Sequence, residues 1–239
     1  MISGFRPHFW PTVISASIVL VCLGLGVWQV ERLYWKEGLI AARAAAVNAP
    51  PIVPPQSAGE ARAMEFRHVA ADGVFLNDKE LFVGASAESG TIGYDVLTPL
   101  REASGRIVFV NRGYIPAELK DRAKRAAGEP AGPVKVTGLL RLPPAGRPNW
   151  FLPDNRSDLN YWFWVDLPAM AKADGFDPAQ VAPFYIDADA TPNQGGWPKG
   201  GTTPLALPNN HLQYAITWFG LAIAMVVIYI VSQRQRQSA

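Results

Sequence analysis

The residues in this chain that could do chemistry are few. Its histidines are His8, His68 and His211, too few for a multi-histidine metal site within one chain. His211 has the most suggestive setting. It stands in Asn209-Asn210-His211-Leu212-Gln213-Tyr214, at the mouth of a run from Leu212 to Val231 that carries no charged side chain. A neutral imidazole can ligate a metal or a haem iron. At about 100° per residue, Tyr214, Trp218, Ala222, Met225 and Tyr229 fall close to the His211 face of a helix. An imidazole above aromatics and a thioether suits a flat, apolar, metal-bearing ligand, and the N–H groups of the same first turn suit a carboxylate. The plain alternative is an interfacial polar residue above belt aromatics that only pack.

Arg112 is the second candidate. It follows a strand-like run in Val110-Asn111-Arg112-Gly113-Tyr114. A guanidinium beside a glycine turn can grip a carboxylate with two parallel hydrogen bonds. An internal salt bridge is the competing role. His68, with Asp72 nearby in sequence, reads as a satisfied structural histidine. Asp154, Asp158, Asp166, Asp187 and Asp189 could in principle form paired acids, but scattered loop carboxylates are more often solvated surface. The sequence contains no G-x-S-x-G, Walker loop, G-x-G-x-x-G or H-E-x-x-H pattern. The expectation is a protein that is not an enzyme.

The elements that position these residues follow from hydropathy. Pro11 to Val30 and Leu212 to Val231 are each long enough to cross roughly 30 Å of hydrocarbon as a helix. Trp10 and Trp28 bracket the first run, about 27 Å apart along a helix axis, as interfacial belts would be. The first run reads as a retained span rather than a cleaved leader, because no small-residue cleavage site follows it closely. Gly24, Gly26, Ser15 and Ser17 on one helix, with Gly220 and Ala224 on the other, offer small surfaces for close packing. The expected organisation is a short tail over 1–10, a transmembrane helix over 11–30, a β-rich domain over 31–208, a second transmembrane helix over 209–231 and a tail over 232–239. Within the domain, 48–59 is a Pro-rich extended linker and 191–208 a Gly- and Pro-rich return loop whose flexibility would let the domain tilt.

Inside the domain, strands are expected at 66–75, 80–84, 93–100, 107–110, 134–140, 160–165 and 184–186. The fourth is apolar on both faces and so central, and Asn111 to Gly113 end it. Asp72-Gly73 interrupts the first and Gly138 the fifth. Helices are expected at 118–127 and 168–174. The fold class is membrane α+β, with two transmembrane helices flanking a mainly antiparallel sheet or open barrel. Cys22 is the one cysteine, so neither an intramolecular disulfide nor a cysteine metal cluster can form. A formal net charge of +2 gives no nucleic-acid surface. Near the membrane, Arg6, Arg234 and Arg236 on one side balance Arg32, Lys36, Arg43 and the more distant Lys199 on the other, so charge leaves the domain's side undecided.

Several stretches together resemble the surfeit locus protein 1 family. Leu23-Gly24-Leu25-Gly26-Val27-Trp28-Gln29-Val30-Glu31-Arg32 is similar to its L-G-x-W-Q-x-x-R signature. Thr98-Pro99-Leu100 and Val110-Asn111-Arg112-Gly113-Tyr114-Ile115-Pro116 resemble its T-P-L and V-N-R-G-[WY]-[IV]-P blocks. Gly138-Leu139-Leu140-Arg141 looks like its G-x-[LV]-R, and Phe151-Leu152-Pro153-Asp154-Asn155 its F-x-P-x-N. Asn210-His211-Leu212-Gln213-Tyr214-Ala215-Ile216-Thr217-Trp218 matches its closing N-H-L-x-Y-A-x-T-W block. The blocks lie in family order over nearly the whole chain.

The resemblance implies a two-pass protein of a respiratory membrane that assists assembly of haem–copper terminal oxidases, chiefly cytochrome c oxidase. A bacterial member would sit in the cell inner membrane with its domain in the periplasm. The implied cofactor is haem a, passed to the oxidase large subunit, with haem a synthase and the lipid bilayer as further partners. His211 matches the family's histidine of the last helix and would be the iron ligand. Trp28, Tyr214 and Trp218 would pack on the macrocycle, and Arg112 is assigned a propionate on chemical grounds alone. The rival implication is a scaffold that steadies the oxidase subunit and touches no haem.

Overall fold

The computed structural model describes residues 8–86 and 90–235. Arg6 and Arg236 of the charge comparison lie outside them. The described residues form two compact units, one of the chain up to Ala42 and from Ala206 onward, the other of Arg43–Leu205.

The first unit is built from two helices, α1 (Phe9–Asn48) and α4 (His211–Gln235). Both are long and apolar enough to cross a membrane. Their large side chains, among them Leu20, Val21, Ile216, Ile223 and Ile228, are mostly exposed rather than packed inside the protein. A core helix of a water-soluble domain would bury them, since apolar area left in water costs roughly 25 cal/mol per Å². α1 buries Cys22, Gly26 and Gln29, spaced as one helical face. α4 answers with Ala215 and Ala222. The helices run antiparallel: the hydroxyls of Thr12 and Tyr229 lie 2.6 Å apart, and Gly26 faces the Phe219 ring so closely that a Cβ there would stand 2.6 Å from it. Of the small residues expected at this seam, Gly26 makes it, and Ser15, half-buried, falls on the same face of α1. Gly24 and Gly220 meet nothing within 4 Å, and Ala224 is exposed.

The second unit is a closed five-stranded barrel with one strand beside it. The strands are β1 (His68–Phe75), β2 (Leu81–Ser86), β3 (Ile92–Arg101), β4 (Ile107–Pro116), β5 (Pro133–Arg141) and β6 (Val181–Ala188). They are ordered β1-β5-β6-β4-β3, and β1 closes on β3 through Val74 opposite Arg101 and Phe75 opposite Leu100. β2 occupies the rest of that β3 edge, from Ser86 opposite Ile92 to Leu81 opposite Leu97. Each barrel strand sends buried residues to one core: Val69 and Phe75, Leu100, Val108 and Val110, Val136 and Leu140, Phe184 and Ile186. A second core on the outer face joins Phe109, Tyr185, Leu97 and Trp162 to Leu167 and Met170 of α3 (Leu167–Ala173). β4 thus feeds both cores, as its apolar residues on both faces required.

Several expectations change. The barrel is closed rather than open, and the β4–β6 pair is parallel. β4 does not end at Asn111 but runs through Gly113 to Pro116. Gly113 permits this: its φ is +112° and the Lys199 carbonyl stands 1.9 Å from where a Cβ would sit. β5 passes unbroken through Gly138, which pairs with Val69 on one side and Ala188 on the other. The segment 160–165 is not a strand but touches the sheet through a single bridge from Trp162 to Val83, and 118–127 forms short 3₁₀ turns.

The Pro-rich linker is strapped to the barrel. The Ile52 N–H donates to His68 O and its carbonyl accepts from Ala70 N, while Pro54 and Pro55 are buried. It leads into the short α2 (Ala58–Ala63), capped by the Ser57 hydroxyl. The return loop is likewise tied down, with Lys199 and Tyr114 exchanging two backbone hydrogen bonds of 2.9 Å.

Candidate functional site

His211 is the first residue of α4. The Asn210 carbonyl accepts from Tyr214 N at 3.2 Å, and the Asn209 side-chain oxygen accepts from His211 N at 3.4 Å. The Asn209 side chain thus satisfies one N–H of the opening turn, and Asn210 contributes its backbone carbonyl. The imidazole meets a group from the other helix: His211 Nδ1 lies 2.6 Å from Gln29 Oε1. A carbonyl oxygen only accepts, so Nδ1–H donates. In the neutral ring the lone pair then falls on Nε2. Metal-binding histidines are commonly held this way, with one ring nitrogen fixed on an acceptor so that the other is aimed and more basic. Gln29 is 8% exposed, on the α1 face turned to α4.

Tyr214 and Trp218 project from the flank of α4 that carries His211, Tyr214 being 54% exposed and Trp218 half-buried. Trp28 is 49% exposed and stands about 100° around α1 from Gln29. The contact that joins the two helices at this level is therefore His211 with Gln29. Gln29 was not among the expected site residues. The available signal was an uncharged amide at the end of the first apolar run, at the depth where an antiparallel partner helix begins.

Arg112 belongs to the barrel unit and is 3% exposed. Among the described residues it makes no carboxylate pair. Nη2 donates to the Gly128 carbonyl and to Asn193 Oδ1, the guanidinium lies 4.8 Å over the Phe75 ring, and Nη1 is buried without a hydrogen-bond partner. Burial holds its pKa below the ordinary arginine value.

His68 and the five aspartates singled out in the sequence have structural partners. His68 Nε2 lies 2.8 Å from Asp189, not near Asp72, and its Nδ1 lies 2.5 Å from the Val47 carbonyl. Asp187 accepts from Asn111, Arg141 and Thr203 at 2.9 to 3.0 Å. Asp166 caps α3, Asp158 pairs with Arg156, and Asp154 pairs with Arg147. Burial, with the nearby charge of Asp187, pushes the Asp95 carboxyl up to about 6, against an opposing hydrogen bond from Asn111.

A β-barrel domain carried between two long apolar helices, with a cross-helix histidine at the start of the second, defines the class. The family model described as the SURF1 family matches residues 16–223. The chain is 36% identical over 222 residues to surfeit locus protein 1 of Mus musculus, covering 87% of this chain and 70% of that protein. It is 35% identical over 223 residues to surfeit locus protein 1 of Homo sapiens, covering 87% and 72%. It is 34% identical over 232 residues to the SURF1-like protein of Monosiga brevicollis, covering 92% and 86%. The chain belongs to the SURF1 family.

Proposed function

We propose that this protein spans a bacterial inner membrane twice, with its barrel domain in the periplasm, and assists assembly of a haem–copper terminal oxidase. In this reading it is a carrier rather than an enzyme. It holds haem a at His211 and delivers it to the oxidase large subunit, with haem a synthase as the source. The observation that carries the reading is the 2.6 Å contact between His211 Nδ1 and Gln29 Oε1. It leaves Nε2 as the ligating atom and fixes the ring at the start of α4. The exposed Tyr214 and the half-buried Trp218 beside it offer apolar area for a macrocycle. Bound haem would supply the iron; the chain's part is to hold and orient it. His211 would hold the iron through one bond from the chain, which would suit a cargo that must be released.

The cellular test is a His211→Ala chain replacing the wild type at equal abundance. The expected result is oxidase with reduced haem a content, while the large subunit is still captured by the variant. Normal haem a content in the oxidase would contradict the carrier role and favour a scaffold that touches no haem.

A further inference from the structure

We infer that the cavity beside Arg112 in the barrel unit is a binding site for a carboxylate carried on a short apolar stem. The proposal is independent of the haem reading. Its first support is a count of charges among neighbouring groups. Glu80 and Arg125 are both buried, and Arg125 donates two hydrogen bonds of 2.8 and 2.9 Å to the Glu80 carboxylate. Arg122 and Glu129 form a second two-bond pair, at 2.9 and 2.7 Å. Each carboxylate is matched by a guanidinium, and Arg112 is the one left over. A buried positive charge without a counter-charge is costly, and Arg112 carries one in a position fixed by Gly128, Asn193 and Phe75.

Its second support is the space beside that charge. Arg112 lines a cavity of about 170 Å³ with Phe75, Val134, Lys135, Val136, Thr137 and Asn193. The Nη1 group of Arg112 has two N–H donors and no acceptor among the described residues. Lys135 adds a second cation, and Thr137 and Asn193 are polar. Asp189 also borders the cavity, but its carboxylate is engaged by His68 at 2.8 Å. Phe75, Val134 and Val136 make much of the wall apolar, which disfavours a fully hydrated inorganic anion. A carboxylate with a few methylenes behind it answers both parts: its charge opposes those of Arg112 and Lys135, and its stem lies on the apolar side.

The test uses the full chain in detergent, with thermal unfolding followed as chloride is replaced by sodium propionate at constant ionic strength. A ligand that binds the folded state raises the midpoint. The expected result is a propionate-dependent rise that exceeds the rise with inorganic phosphate. Arg112→Lys should weaken the response about tenfold or more. Because that variant could fail to fold, Lys135→Glu, on an exposed side chain, serves as the second probe and should weaken it several-fold. An acetylated, amidated glutamate used in parallel separates sources: an equal response means a protein side chain fits, and a response to propionate alone restricts the site to small free acids. No propionate-dependent rise in the wild type, an equal rise in Lys135→Glu, or a larger rise with phosphate would overturn the proposal.

Discussion

Gln29 bears on His211 in a way that can be measured. If the amide acts by accepting from Nδ1, its carbonyl oxygen is what matters. Gln29→Leu should lower haem affinity by about 10- to 100-fold, while Gln29→Glu, which keeps an acceptor, should restore most of it. Equal affinities for Gln29→Leu and the wild type in a spectroscopic titration would remove Gln29 from the site. A second prediction concerns Asp95. Its carboxyl titrates at about 6 in the fold against 3.8 in the unfolded chain. Between those values the native state keeps a proton that the unfolded state releases, so this group's contribution to stability falls as pH rises from about 4 to 6. Asp95→Asn should therefore gain on the wild type by roughly 1–3 kcal/mol over that window. Parallel stability curves in urea at pH 4 and pH 7 would contradict this. At this scale His211 was readable because it ends an apolar run. Gln29 was not, because its partner is 182 residues away and a sequence carries no register between two helices. Arg112 was readable only as a candidate for a salt bridge or a carboxylate grip; its burial against Gly128, Asn193 and Phe75 is something only the fold brings about.

Among elements, the seam between α1 and α4 makes the clearest prediction. Gly26 admits the Phe219 ring, and Cys22, one turn earlier, is buried on the same face. Gly26→Val should force the helices apart and let N-ethylmaleimide label Cys22 several-fold faster in detergent. Adding Phe219→Ala should slow labelling again. Equal labelling rates in Gly26→Val and wild type would contradict this seam. The strands show why element reading succeeds in part. β4 was placed at the centre because Val108, Phe109 and Val110 leave it no polar face. Its true end was missed because Gly113 looks like a terminator in sequence, whereas here it lets the Lys199 backbone approach. The segment 160–165 reads as a strand from its aromatics, yet Trp162 is used as a core plug rather than as a ladder residue. Closure of the barrel rests on two residue pairs between β1 and β3, a contact with no local signature.

For the whole molecule, two apolar helices and a barrel divide the work. The helices are exposed in the manner of segments that face lipid, and the family relationship spans most of the chain. The two long helices were legible because an uncharged apolar run of about 20 residues is long enough to cross a membrane as one helix. Strand order was not, since the parallel β4–β6 pair joins segments separated by β5 and α3. On the proposed reading, this protein carries haem a on His211. The most direct measurement is the visible absorption spectrum of the detergent-purified full chain, produced together with haem a synthesis, beside a folded His211→Ala chain. A haem a spectrum in the wild type that is lost in the variant is the predicted result. A wild-type chain without haem, or a variant that keeps the same spectrum, would contradict the account.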